Sequence, residues 1–490
     1  MKRIFTNLFV AVLLMLSSTS WAQVQPGKVY NFVNREYGKS MSCVERDRAV
    51  LATTDNKDYF QLWYVADGGD GTYTLRNLGN GYYLKGNGSG SKWPFVADAS
   101  AAKLYYRELS SDYCTFDADN SDNGNEMHYG NGNGCVVGWS SSESASQWTA
   151  KLVEVSESDL AANWAAIDAI DNASTHLNDY RVLLENMFED ASCTVLKSPY
   201  RNYSDSQLNG DDNYSNLPAV LQAMVKKVRD SSWGEDNVVD GKPAWDSDHS
   251  KRFRVQLYEP YSYAERTANM LGISAHTNMN NPTGIVANAR DVLYVMVEGD
   301  VPEGAALYIQ AAVDRERIGN VGGVQLQKGL NIIPYWGDDN QIFIHYVVDT
   351  YNNGAKTDYE LTDYAPLKIH IEGGCINGCF DTVGDELNPG GDSEYDWDYY
   401  EARAHQYNFT VMGKYVMWHM PLNLADEPYD HDGNKTYDLS VCLGSGATSV
   451  FDVMAAAMTV GLYLFPMSFW TISTGLTPPC SEPTTGLKSA

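Results

Sequence analysis

Nine histidines stand in the 490 residues, at positions 128, 176, 249, 276, 345, 370, 405, 419 and 431. A helical zinc peptidase site needs two of them four apart with Glu after the first, so that both imidazoles share one helix face and a carboxylate stands beside the metal-bound water. No two histidines here are four apart, and none precedes Glu. His345 and His370 sit in strand-like runs and would give a metal only two ligands, so a hydrogen-bonded packing role is expected for both. A Gly-x-Ser-x-Gly elbow and a phosphate loop are also missing. The sequence therefore assigns no catalytic residue and no metal ligand.

Eight cysteines remain. Cys375 and Cys379 flank a Gly/Asn turn, which suits a local disulfide or two free buried thiols; a closed zinc site would need a second such pair. Asp117-Ala-Asp-Asn-Ser-Asp122 and Asp430-His-Asp-Gly-Asn434 have the composition of calcium loops without the ligand spacing, and solvated acidic loops are expected. Trp93 and Trp139 stand among Gly and Ser. Rings in such loops either stack on a sugar or cap a core, and these two are the candidate carbohydrate-binding residues.

A formal charge of −28 argues against nucleic acid and an anionic membrane surface as partners, because both repel an acidic protein. With 43% hydrophobic residues and 33 tyrosines the chain has material for several cores. Met1-Lys-Arg3, the apolar run Leu8 to Leu16 and Ser20-Trp-Ala22 form an export signal, with cleavage expected before Gln23. The competing reading, a membrane anchor, has a short apolar run against it. The product is thus expected in the periplasm, at the cell surface or outside the cell.

The elements that position the tryptophans repeat three times. Tyr30-Asn-Phe-Val-Asn34, Tyr73-Thr-Leu-Arg-Asn77 and Tyr113-Cys-Thr-Phe-Asp117 align, and Trp63, Tyr105 and Trp148 follow at a matching distance. Three units of short strands and Gly/Asn turns specify a β-trefoil, since each unit buries its apolar side only against the other two. Gln61-Leu-Trp63 resembles the Gln-x-Trp signature of ricin-type trefoils; Lys103-Leu-Tyr105 and Ser146-Gln-Trp148 depart from it. That resemblance implies a lectin fold and a sugar as partner.

Ser156 opens a helical pattern through Leu160, Trp164, Ile167 and Ile170. Others run through Leu183, Leu184 and Met187, and from Pro218 through Leu221, Val225 and Val228, with Pro218 in the first turn. From Phe253 the period changes to two: Phe253 to Tyr258, Val292 to Val297, Leu307 to Val313, Gly329 to Ile333, Ile342 to Asp349 and Leu367 to Glu372 read as an antiparallel β-sandwich, with the last two expected to pair.

Within that stretch Phe253-Arg254, Glu259-Pro-Tyr-Ser262, Asn281-Pro-Thr-Gly-Ile285, Gly329-Leu-Asn-Ile-Ile-Pro334 and Lys368-Ile-His-Ile-Glu-Gly-Gly374 follow in order. Between Glu185 and Pro421 the chain resembles the enhancin-like zinc metallopeptidases, the family of viral enhancins and gut bacterial mucinases. The resemblance implies host mucin-type glycans or glycoproteins as partners and zinc as the cofactor of full-length members. The His-Glu-x-x-His helical domain of that family is missing from this sequence, so no cofactor is expected in this chain, and by itself it is expected to be inactive. A host-glycan adhesin is the alternative.

The expected organisation is multidomain and mainly β: a signal peptide at 1–22, a β-trefoil at 23–155, a helical connector at 156–250, a β-sandwich at 251–421 and an irregular tail at 422–490. Three readings stand for the tail, in which Val453 to Trp470 is uncharged and apolar. They are a shifted frame or truncation, a buried helix, and a membrane anchor, the last opposed by Gly461, Pro466 and the lack of flanking positive charge.

Overall fold

The computed structural model describes residues 24–421 and 470–473, apart from 87–93, 122–123, 236–240, 263–280, 312–322, 338, 349–350, 353–354, 357–363, 382, 393–396, 407 and 413–415. The expected signal segment, the Asp430 loop and nearly all of the tail lie outside these residues. The chain falls into two compact units. One takes the residues up to Ala173 with 288–291 and 334–338, and the other takes the rest.

The first unit is a β-trefoil with twelve strands: β1 (Lys28–Asn34), β2 (Ser40–Ser42), β3 (Val50–Ala52), β4 (Leu62–Gly69), β5 (Thr72–Asn77), β6 (Tyr83–Gly86), β7 (Phe95–Asp98), β8 (Leu104–Glu108), β9 (Cys114–Asp117), β10 (Glu126–Gly130), β11 (Cys135–Trp139) and β12 (Trp148–Val153). Strands β1, β4, β5, β8, β9 and β12 pair in that order and β12 returns to β1, closing a ring. The hairpins β2–β3, β6–β7 and β10–β11 complete the three repeats. Closure removes sheet edges and gives the three repeats one core. Phe32, Trp63, Leu75, Leu84, Phe116, Met127 and Trp148 meet there, all fully buried.

The repeated sequence positions do matching jobs. Trp63 and Trp148 are core residues whose indole N–H groups donate to the Met41 and Met127 carbonyls at 3.1 and 2.7 Å. Asn34 and Asn77 end their strands by accepting the backbone N–H groups two and three residues on, and Asp117 accepts that of Asp119. Gln61 is likewise structural: its amide donates to the Thr53 carbonyl and the Asp58 carboxylate and accepts from the Asp55 N–H. The Asp117 carboxylate pairs with Arg107 at 2.6 Å, and the Asp119 carboxylate takes the Ser121 and Asn125 donors, so this acidic loop is built from turn acceptors.

Helix α1 (Glu157–Asp171) starts on Ser156, whose hydroxyl accepts the Asp159 N–H. It belongs to the same unit. Asn163 donates to the Leu78 carbonyl at 2.9 Å, Trp164 lies under the Arg76 guanidinium at 4.0 Å, and Ile167 packs so close to Gly81 that an added Cβ would stand 2.8 Å away.

The second unit begins with helices α2 (Leu177–Met187), α3 (Ser198–Arg201), α4 (Asp205–Asn209), α5 (Asp212–Ser215), α6 (Ala219–Asp230) and α7 (Ser247–Arg254). Pro218 caps α6 from outside, in extended backbone, rather than sitting in its first turn. Phe253 and Arg254 end α7, so the strand expected from Phe253 begins at Val255; Asp246 caps the helix and outweighs the strand-like residues at its end.

Strands β13 (Val255–Tyr258), β14 (Tyr261–Ser262), β15 (Asn281–Ala287), β16 (Val292–Val297), β17 (Ala305–Ala311), β18 (Val324–Gln325), β19 (Gly329–Pro334), β20 (Asn340–Val348), β21 (Tyr351–Asn352), β22 (Ala355–Lys356), β23 (Leu367–Glu372) and β24 (Cys375–Ile376) follow. They form the sheets β13-β23-β16-β19 and β18-β17-β20-β15-β24, antiparallel throughout except where β14 runs parallel to β20, together with a β21–β22 hairpin. The expected pairing of the Ile342 and Leu367 runs does not occur: β20 and β23 are interior strands of different sheets. The connection between them is too long for a hairpin and lets the chain change sheets. Strands β25 (Phe380–Asp381), β26 (Asn408–Met412), β27 (Val416–Pro421) and β28 (Trp470–Ser473) form a further sheet, and α8 (Trp397–Arg403) precedes β26. Trp397, Tyr400, Phe253, Phe380 and Phe409 share one core there.

Candidate functional site

In the trefoil, the three hairpins can be aligned by their pairing register. Trp139 stands opposite Glu126, Asp98 opposite Tyr83 and Ala52 opposite Ser40. Hence His128, Lys85 and Ser42 are also equivalent. In the second repeat Lys85 and Asp98 close on each other as an ion pair of 2.7 Å. The first repeat offers Ala52 and a buried Ser42. The third alone carries an aromatic pair: Trp139 keeps 42% of its surface exposed, and its ring lies 5.8 Å from that of His128, tilted by 34°. His128 Nδ1 is 2.9 Å from the Ser146 hydroxyl, and that hydroxyl donates to the Ser140 carbonyl at 2.7 Å. Burial lowers the His128 pKa, against the opposing pull of Glu36 and Glu143. Trp93, the other sequence candidate, lies outside the described residues. His128 escaped the sequence reading because its partner Ser146 occupies the place of the signature Gln and has no motif of its own.

In the second unit two of the ordered sequence motifs, Phe253-Arg254 and Lys368 to Gly374, meet in one buried clasp. Arg254 forks onto both Glu235 oxygens at 2.7 and 3.0 Å and donates to the carbonyls of Ile371, Gly373 and Gly374. Lys227 reaches Glu235 and Glu372 at 3.2 and 3.1 Å. Burial pushes the Glu372 carboxyl up, but the His370 hydrogen bond with Arg254 and Lys227 outweighs it and brings the pKa down to about 2. Gly373, at φ +90°, lies where a Cβ would come within 2.2 Å of the Val292 carbonyl oxygen. Gly284 similarly faces the Phe253 ring, and the Asn281 amide donates to the Glu259 carbonyl. Every one of these residues supports the fold.

Zinc does not fit the strand histidines. His370 Nδ1 faces the Ser192 carbonyl at 3.0 Å and Nε2 faces Glu372 at 3.2 Å, leaving no ring nitrogen for a metal. His345 lies in the other sheet, beside Tyr308. Among the described residues no three His, Cys, Asp or Glu side chains gather as metal ligands. Cys375 and Cys379 are buried thiols not joined in a disulfide, the second of the two readings the sequence left open, and burial pushes Cys379 up to about 12. A cleft of about 660 Å³ passes α7, β13 and the 381–392 turn. Its charged lining is largely spent internally: Asp392 holds Arg252 and Tyr400, and Asp385 caps backbone N–H groups. No helix among the described residues is long and apolar enough to cross a membrane.

No family model matches the chain, and no curated protein matches it. Among solved structures, a metallopeptidase from Bacteroides thetaiotaomicron is 23% identical over 52% of this chain and 37% of its own, with a TM-score of 0.38. A metallopeptidase in complex with Tn antigen is 25% identical over 36% of this chain and 30% of its own, with a TM-score of 0.28. The Macrolepiota procera ricin B-like lectin, solved in complex with lactose, is 17% identical over 26% of this chain and 99% of its own, with a TM-score of 0.24. The chain thus spans little more than a third of the first of these. Solved structures similar to parts of it thus include metallopeptidases and a ricin B-like lectin.

Proposed function

We propose that this chain is the glycan-facing, non-catalytic part of an exported, enhancin-like metallopeptidase directed at mucin-type glycoproteins, and that its trefoil holds the sugar. The observation that carries the reading is the third hairpin, where an open Trp139 ring stands beside His128 while the equivalent positions are closed by the Lys85–Asp98 pair or occupied by Ala52. An exposed indole next to a polar ring suits a sugar, which presents an apolar C–H face and hydroxyls together. Trp93 belongs to the same proposal as a second stacking ring. The proposed domain limits are a trefoil at 23–155, a connector at 156–250 and a sandwich at 251–421, behind a cleaved signal at 1–22.

The test is retention of the mature chain on immobilised mucin-type O-glycans. Trp139→Ala should lower retention about tenfold, the scale of one lost stacking contact, and Trp93→Ala should lower it further. Unchanged retention in the double variant would remove the sugar site. The sequence carries no His-Glu-x-x-His, which keeps the adhesin reading as the alternative; reading the DNA around and beyond codon 440 separates the two, since a His-Glu-x-x-His encoded there would favour the peptidase and its absence the adhesin.

A further inference from the structure

The hydrogen bonds around His128 fix more than its position. Ser146 has one hydroxyl proton, and it goes to the Ser140 carbonyl at 2.7 Å. The 2.9 Å contact between Ser146 Oγ and His128 Nδ1 must therefore be donated by the histidine. In the neutral ring this leaves Nε2 as a lone-pair acceptor. Nε2 has no protein partner among the described residues, and it is not among the polar atoms sealed from solvent without one. An outward-facing acceptor of fixed polarity thus stands beside the exposed Trp139 ring.

We propose, resting on the sugar-binding reading above, that His128 Nε2 accepts a hydrogen bond from a hydroxyl of the sugar stacked on Trp139, and that acid releases the sugar by turning this acceptor into a donor. Protonation adds an N–H at Nε2 while Nδ1 stays committed to Ser146, so the site can no longer accept there. The charged groups facing the ring are Glu36, from the turn after β1, and Glu143, from the loop after β11; Glu126, on the same face of β10, is buried. Both exposed carboxylates favour the protonated ring, and burial opposes them with the larger effect. The release accordingly falls on the acid side of an ordinary histidine.

The experiment uses the full mature chain on surfaces bearing α-linked N-acetylgalactosaminyl serine or lactose, at about pH 7.5 and about pH 4, the lower value well below an ordinary histidine because burial lowers this one. Wild type should bind about tenfold more weakly at the lower pH, the worth of one hydrogen bond. His128→Gln, whose amide oxygen reaches the place of Nε2 and does not titrate, should bind equally at both. His128→Asn, which keeps a donor near Ser146 but has no group at Nε2, should bind weakly at both. Equal wild-type binding at the two pH values, lost in Trp139→Ala, would overturn the role of His128 and leave the sugar site standing. The same acid loss in His128→Gln would also overturn it, and no binding at either pH would overturn both readings.

Discussion

At the residue scale the clasp around Arg254 is the most consequential cluster in the second unit, because charges are buried there with nearly every donor spent. Removing one partner of such a group leaves an unpaired buried charge, which costs about 3–5 kcal/mol. Glu372→Gln should therefore destabilise the second unit by about that amount in denaturant unfolding, while an exposed pair such as Lys328–Asp300 should contribute under about 1 kcal/mol. The pH dependence has a definite sign. The Glu372 carboxyl is lowered from 4.5 to about 2 in the folded chain, so its contribution is complete above about 4.5 and fades as pH falls toward about 2. Acid titration of unfolding should lose that slope in Glu372→Gln. These residues are legible as motifs, yet a motif alone does not tell a structural clasp from chemistry. Only the paired geometry shows that the ring of His370 and the two glycines serve Arg254 and Glu372.

At the element scale, the trefoil is readable from sequence because three repeats must close on one another, with Trp63 and Trp148 entering the shared core and Asn34, Asn77 and Asp117 ending their strands as turn acceptors. The helices α3, α4 and α5 are not legible: each has four or five residues, too few to show a period, and they are set by local caps such as Ser204 with Gln207. The same holds for α8, whose apolar side is recognisable only from the aromatic core it enters. Helix α1 makes contacts with the trefoil that a repeat count cannot reveal, through Asn163, Trp164 and Ile167. A fragment of residues 24–155 should still unfold cooperatively, and one of residues 24–173 should melt several degrees higher, since about 1–2 kcal/mol of added packing shifts a domain of this size by roughly that much. Equal melting temperatures, followed by near-UV circular dichroism, would show that α1 adds nothing to the trefoil.

At the scale of the whole molecule, two modules of different kind stand in one acidic chain: a trefoil with one open aromatic pair among its described hairpins, and a sandwich in which Arg254 and the Lys368–Gly374 run close a buried clasp. Composition argues against polyanionic partners, and the histidine spacing offers no His-Glu-x-x-His within these residues. The proposed sugar site is legible only in the fold, because Trp139 gains meaning when Lys85–Asp98 and Ala52 are found in the equivalent places. The most direct test of the account is native mass spectrometry of the mature chain mixed with zinc and an O-glycosylated mucin peptide. The account predicts an adduct of intact glycopeptide on a zinc-free chain, lost in Trp139→Ala; a stoichiometric zinc adduct with chelator-sensitive cleavage of the peptide, or a chain that binds no glycopeptide at all, would contradict it.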